Sequence, residues 1–117
     1  MHPNTRACVA FTAAKLISGG GSSSSVYDYS QSRYVNVSGS VSKSQVAVYD
    51  YERGCHFSGS PPNLYDYGRS AHVSLQINGN SFSGYDYGDS HHFSGTVSGN
   101  SISLYDHGES QYFNYSV

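Results

Sequence analysis

The chain predicts a mainly β protein: an antiparallel up-and-down meander of about ten short strands, made of hairpin repeats and closing into a sandwich or barrel-like sheet, with one short N-terminal helix. Three observations carry this expectation. The triplet Tyr-Asp-Tyr begins at residues 27, 49, 65 and 85 and returns as Tyr105-Asp106-His107, in steps of 22, 16, 20 and 20 residues. Side chains alternate with period two, Ile102, Leu104 and Asp106 against Ser103, Tyr105 and His107, which is the period of a strand. Gly79-Asn80 and Gly99-Asn100 lie between apolar flanks and read as two-residue type II′ loops, whose first central residue takes the positive φ that glycine adopts freely.

Taken from the N-terminus, residues Ala7 to Ile17 have the composition of a short helix, with Thr5 as its cap and Gly19 to Gly21 ending it. Ser22 to Ser25 reads as a flexible tether, so residues 1–25 form a helix and Gly/Ser link ahead of a repeat domain at 26–117. Within each unit, three or four turn-type residues follow the triplet, and then come His or Tyr and Val or Phe, as in His72-Val73 and His92-Phe93. Two-residue loops centred on Gln31-Ser32, Arg53-Gly54, Arg69-Ser70, Asp89-Ser90 and Glu109-Ser110 put Asp86 opposite Phe93 and Asp66 opposite Val73, with the other units alike. Lys43-Ser44 and Pro61-Pro62 supply the remaining loops. A β-solenoid, with equivalent residues stacked in ladders, is the alternative, but its coils would not need the Gly-Asn turns or uneven steps.

The inner face of such a sheet carries Val37, Val48, Leu64, Leu75 and Leu104, with Ile77, Phe82, Val97, Ile102 and Val117 nearer the Gly-Asn end. Gly59, Gly84 and Gly95 fall in the same rows and leave room for the helix to land. An 11-residue helix of about 16 Å cannot cover ten strands spanning about 50 Å, so the sheet curls or two copies pack face to face. Asp28, Asp50, Asp66, Asp86 and Asp106 occupy the turn-proximal end of this face. There they serve as turn acceptors rather than as a calcium array, because an intervening Val or Phe strand keeps them apart.

The opposite face is aromatic. The expected register sets Tyr29 beside Tyr34, Tyr51 beside His56, Tyr67 beside His72, Tyr87 beside His92, and His107 beside Tyr112. A second row holds Tyr27, Tyr49, Tyr65, Tyr85 and Tyr105 with intervening Ser and Asn. Cross-strand aromatic pairs stabilise a sheet on their own account, but a grid of Tyr, His, Ser and Asn is also the composition of recognition surfaces. The candidate ligand face is therefore Tyr49, Tyr65, Tyr67, His72, Tyr85, Tyr87, His92, Tyr105 and His107.

Other chemistry finds less support in the residues. Six histidines occur, but neighbours such as His91 and His92 point to opposite faces of a strand, so no metal or cofactor is expected. Asp86, Ser90 and His92 contain the residue types of a hydrolytic triad, yet the same types recur from unit to unit as repetition alone produces. Two cysteines, Cys8 and Cys55, are too few for a disulfide framework and are expected as free thiols. With 12% charged residues and a formal net charge of −2, nothing draws the chain to nucleic acid. The apolar stretch at Ala7–Ile17 is too short to span a bilayer, and because Lys15 interrupts it and Gly and Ser end it in place of a cleavage site it is a poor signal peptide, so cytoplasmic residence is expected, with signal-less export as the other route.

The run Tyr85-Asp86-Tyr87-Gly88 through Gly95, together with Ser101 to Asp106 and the segment from Arg6-Ala7-Cys8 to Gly19, resembles small bacterial proteins built on Tyr-Asp-Tyr-Gly repeats. The resemblance implies a bacterial source and one unit of fold, and brings no activity, cofactor or ligand with it. Ser30 and Glu52 stand where that pattern has Gly, and His107 where it has Tyr. The expected function is a non-catalytic binding module offering its Tyr/His face to a carbohydrate-like or protein ligand. The alternatives are a self-associating structural protein, as oligomer or fibre, and, remotely, a metal-assisted hydrolase.

Overall fold

A computed structural model describes residues 1–19 and 25–117. The tether expected at Ser22–Ser25 therefore lies, except for Ser25, outside the described residues, as do Gly20 and Gly21. Helix α1 spans Pro3–Ser18 and precedes eleven strands: β1 Val26–Asp28, β2 Arg33–Val35, β3 Val37–Val41, β4 Val46–Asp50, β5 Cys55–Ser60, β6 Asn63–Asp66, β7 Ala71–Asn78, β8 Ser81–Asp86, β9 His91–Ser98, β10 Ser101–Asp106 and β11 Gln111–Ser116. All form one antiparallel sheet in the order β2-β1-β11-β10-β9-β8-β7-β6-β5-β4-β3.

The two ends of that order are β2 and β3, which are separated in the chain by Asn36 alone. Residues 33–41 thus form one stretch whose first part pairs with β1 and whose second part pairs with β4, and the sheet curls into a nearly closed barrel. Counted this way the barrel has the ten strands that the repeat predicts, with an interruption at Asn36. The molecule measures 31 × 28 × 25 Å, far less than the span of ten strands laid flat. Ten strands at about 4.8 Å, tilted by about 40°, close a ring of about 10 Å radius, wide enough for an axial helix about 10–12 Å across.

Helix α1 fills that bore. Every residue from Asn4 to Ala14 is buried, which is the behaviour of a helix surrounded on all sides. Its small side chains, Ala7, Ala10, Ala13 and Ala14, are at most 2% exposed and leave space for wall residues such as Val48, Leu75 and Leu104. The helix begins four residues before the expected start, because Pro3 is pre-set for the first turn and His2 Nδ1 caps it by accepting the Asn4 N–H at 3.0 Å. Thr5 is not the cap but points into the barrel. Gly19 ends the helix at φ 82°, its N–H donating to the Lys15 carbonyl.

The Gly-Asn turns match expectation: Asn78 pairs with Ser81 and Ser98 with Ser101, with φ 62° at Gly79 and 59° at Gly99. Lys43-Ser44 and Pro61-Pro62 also sit at loop centres, and the proline pair turns the chain without breaking the sheet. The five triplet turns differ from expectation. Each is a four-residue loop, closed by the pairs Asp28 with Arg33, Asp50 with Cys55, Asp66 with Ala71, Asp86 with His91 and Asp106 with Gln111. The aspartate is the reason: its Oδ1 accepts the N–H two residues on at 2.9–3.0 Å, folding an Asx turn that takes in more chain. The last loop residue, Ser32, Gly54, Ser70, Ser90 or Ser110, then closes it at a φ of 53–66°.

The register consequently shifts by one pairing step while parity, and hence facing, is kept. Asp86 opposes Val73 and Asp106 opposes Phe93 in the neighbouring hairpin, not in their own. Two further expectations fail. Ile77 is 38% exposed at the open Gly-Asn end, and the space at Gly84 and Gly95 is taken by the opposed Phe93 and Phe82 rings rather than by the helix.

Candidate functional site

The five triplet aspartates are at most 1% exposed and encircle the barrel end where α1 begins. Burying carboxylates is costly unless each is paired, and the helix supplies much of the pairing. Asn4 Nδ2 donates to Asp50 Oδ2 at 3.2 Å, the Thr5 hydroxyl donates to Asp66, and Arg6 Nη1 lies 3.4 Å from Asp106 Oδ2. The Met1 ammonium stands 3.1 Å from the same oxygen and 2.9 Å from Asp89. Arg53 bridges Asp50 and Asp66, and Arg69 bridges Asp66 and Asp86. Asp28 is held by Ser30 and Gln31. The positive end of the helix dipole points into the same ring.

Electrostatic consequences follow residue by residue. Burial alone would raise Asp66, but the Thr5 hydroxyl and the Arg53 and Arg69 guanidinium groups outweigh it and hold the carboxyl below its usual range. Burial, assisted by Arg53 and Arg69, lowers His2 and keeps it in the neutral form whose Nδ1 caps the helix. The Cys8 thiol is pushed far up by burial and the Cys55 thiol is raised by the same cause; both are free, neither a poised nucleophile. At the barrel seam, Arg33 bonds Glu52 at 2.9 and 3.0 Å and the Asn36 N–H donates to it at 3.0 Å. Glu52 consequently falls to about 2, with the Arg33 bonds the main cause.

The outer wall carries the candidate ligand face. Tyr49, Tyr65, Tyr85 and Tyr105 are half-buried in the second row, each meeting two further rings edge-on. Tyr49 meets Tyr51 and His56, Tyr65 meets Tyr67 and His72, Tyr85 meets Tyr87 and His92, and Tyr105 meets His107 and Tyr112, with centroids 4.7–4.9 Å apart. Tyr27, Tyr29 and Tyr34 make a fifth cluster of the same kind. The shifted register therefore replaces the expected pairs by triads, with Tyr85 rather than Tyr87 directly opposite His92. Edge-to-face contacts of this type fix ring orientation and add about 0.5–1.5 kcal/mol each beyond area burial.

Every one of the nine expected ligand-face residues sits on this wall, and His72, His92 and His107 are exposed. Six tyrosines are more than half exposed: Tyr29, Tyr34, Tyr51, Tyr67, Tyr87 and Tyr112, at 57–64%. Shallow grooves run between triads with Ser and Gln on their floors, one lined by Tyr85, His92, His107, Ser83 and Gln76. Among the described residues, Arg33 is the one charged strand residue that is not buried. The wall beyond the aromatic band is Ser, Thr, Asn and Gln with Ala47, the inverse of the apolar-out wall of a membrane barrel, and no helix among the described residues is long and apolar enough to cross a membrane.

The triad-like residues are separated by the sheet itself: Asp86 is buried inside while His92 projects outside. Sequence reasoning missed the inward Tyr115, which is 1% exposed and has its hydroxyl raised by burial, and it missed the arginine lattice. Arg53 and Arg69 stand three residues after their aspartates, a spacing readable in the chain that identifies them as turn partners. No protein-family model matches the chain, and no curated protein or solved structure matches it.

Proposed function

We propose that the protein is a non-catalytic binding module whose Tyr/His wall takes a carbohydrate-like ligand. The supporting observation is the set of six tyrosines more than half exposed, held in repeated edge-to-face triads on a wall almost free of charge. Rings oriented this way offer apolar faces and hydroxyls at low ordering cost, and the Ser, Gln and Asn between them supply hydrogen-bond donors and acceptors. The low charge favours a neutral, hydroxyl-rich ligand over an anionic one. Five similar sites around one barrel suit a polymer, for which weak single contacts add through effective concentration.

The test is a glycan array with the wild-type chain beside a Tyr51→Ser, Tyr67→Ser, Tyr87→Ser triple variant. These are outer rings, so their loss leaves the central Tyr49, Tyr65 and Tyr85 in place and the barrel folded. Binding to neutral polysaccharides that drops at least tenfold in the folded variant supports the proposal. Absence of binding by the wild type, or equal binding by the variant, removes it.

A further inference from the structure

We propose that His92 and His107 form a two-imidazole site for a borderline divalent transition ion such as zinc. The four-residue turns are what bring them together. With two-residue loops His107 would lie beside Tyr112 and His92 beside Tyr87, whereas here the N–H of His107, the first turn residue after β10, donates to the His92 carbonyl on β9 at 3.1 Å, making them direct cross-strand neighbours. Both are exposed on the outer wall and both line the groove that contains Tyr85. The corresponding bonds in other units join His56 to Tyr67 and His72 to Tyr87, so those imidazoles face a phenol instead.

Side chains directly opposed on antiparallel chain segments have Cβ atoms about 4.5–5.5 Å apart, and two imidazoles from such positions reach a common ion with bonds of about 2.0–2.1 Å once each turns from its edge-on contact, His92 from Tyr85 and His107 from Tyr105. Imidazole pairs suit zinc, copper and nickel, whereas calcium and magnesium require oxygen ligands. No group of three or more His, Cys, Asp or Glu side chains gathers around a common point among the described residues. The pair is therefore a bidentate clamp whose other positions are filled by water.

The experiment is zinc titration of the full chain at neutral pH, followed by the ring proton resonances of each histidine. His92 and His107 are expected to move together with one midpoint, at a zinc concentration at least tenfold below that which moves His56 or His72. His107→Tyr installs the residue that other units carry at that place, and His92→Tyr does the same for its own row, as Tyr34 and Tyr112 show, so at least one folded variant is assured by precedent within the chain. In either variant the remaining partner should lose its response at least tenfold. A His92 response unchanged by His107→Tyr, or all exposed histidines titrating together, overturns the proposal.

Discussion

Asp66 is the hub through which the helix grips the barrel, and replacing it with asparagine tests that role. The carboxylate is fully buried and accepts from the Thr5 hydroxyl, from Arg53 Nη1 at 3.2 Å, from Arg69 Nε at 3.2 Å and from the Gly68 N–H at 3.0 Å. Asparagine keeps the shape and one acceptor but loses the charge and turns two donors toward a cluster of donors. Hydrogen bonds to charged groups contribute about 1.5–3 kcal/mol each, and breaking a buried ion pair costs about 3–5 kcal/mol. Arg53 retains Asp50 and Arg69 retains Asp86, so neither guanidinium is stranded. The expected loss is about 3 kcal/mol, which at a urea slope of about 1–3 kcal/mol per molar lowers the midpoint by about 1–3 M. Asp89→Asn, at a side chain 40% exposed, serves as control with a loss under about 1 kcal/mol. The pH dependence adds a second check. Because Asp66 is held below its ordinary value in the folded state, its contribution is present above about pH 4 and disappears as the pH falls through the folded value. The gap between wild type and Asp66→Asn should therefore narrow on acidification below about pH 4. A midpoint equal to that of Asp89→Asn, or a gap that widens in acid, would refute the reasoning.

Three further outcomes follow from the same structure. Ser70→Gly and Ser90→Gly remove a side chain from left-handed backbone at φ 53° and 59°, and each should raise stability by about 0.5–1 kcal/mol in urea melts, the relief exceeding glycine's entropy cost. Ala10→Leu overfills the fully buried axial contact and should destabilise by about 1–3 kcal/mol, measured by thermal unfolding. Arg33→Ala removes the ion pair with Glu52 and the bonds to the Gln31 side chain and the Tyr34 carbonyl, all at an arginine side chain that is 44% exposed, so chemical denaturation should register only a small loss, smaller still in high salt.

The strand count, the inward and outward faces and the Gly-Asn turns were legible because each depends on local chemistry: period-two alternation and a glycine at a positive φ. Parity holds although the triplet loops are longer than expected, since lengthening a loop from two to four residues changes partners but not faces. What stayed hidden depended on long-range geometry. A short helix cannot cover ten strands laid flat, but a closed sheet presents its whole inner face to one axis, so the Ala7, Ala10 and Ala14 surface suffices. The aspartates were readable as turn acceptors at Glu52, Gly68 and Gly108, yet the second oxygens of Asp50, Asp66 and Asp106 accept from Asn4, Thr5 and Arg6, about 50–100 residues away, which no local pattern reports. The aromatic face was legible as a face, while its triads required the true register.

The central claim is that the sheet closes around α1 and leaves the tyrosine triads outside and free. Photochemically induced nuclear polarisation of tyrosine rings measures this directly, since only solvent-accessible rings react with the excited dye. Tyr29, Tyr34, Tyr51, Tyr67, Tyr87 and Tyr112 should polarise strongly and Tyr115 not at all, independent of protein concentration. Polarisation of Tyr115, or silence of the six outer rings that persists on dilution, would contradict the account.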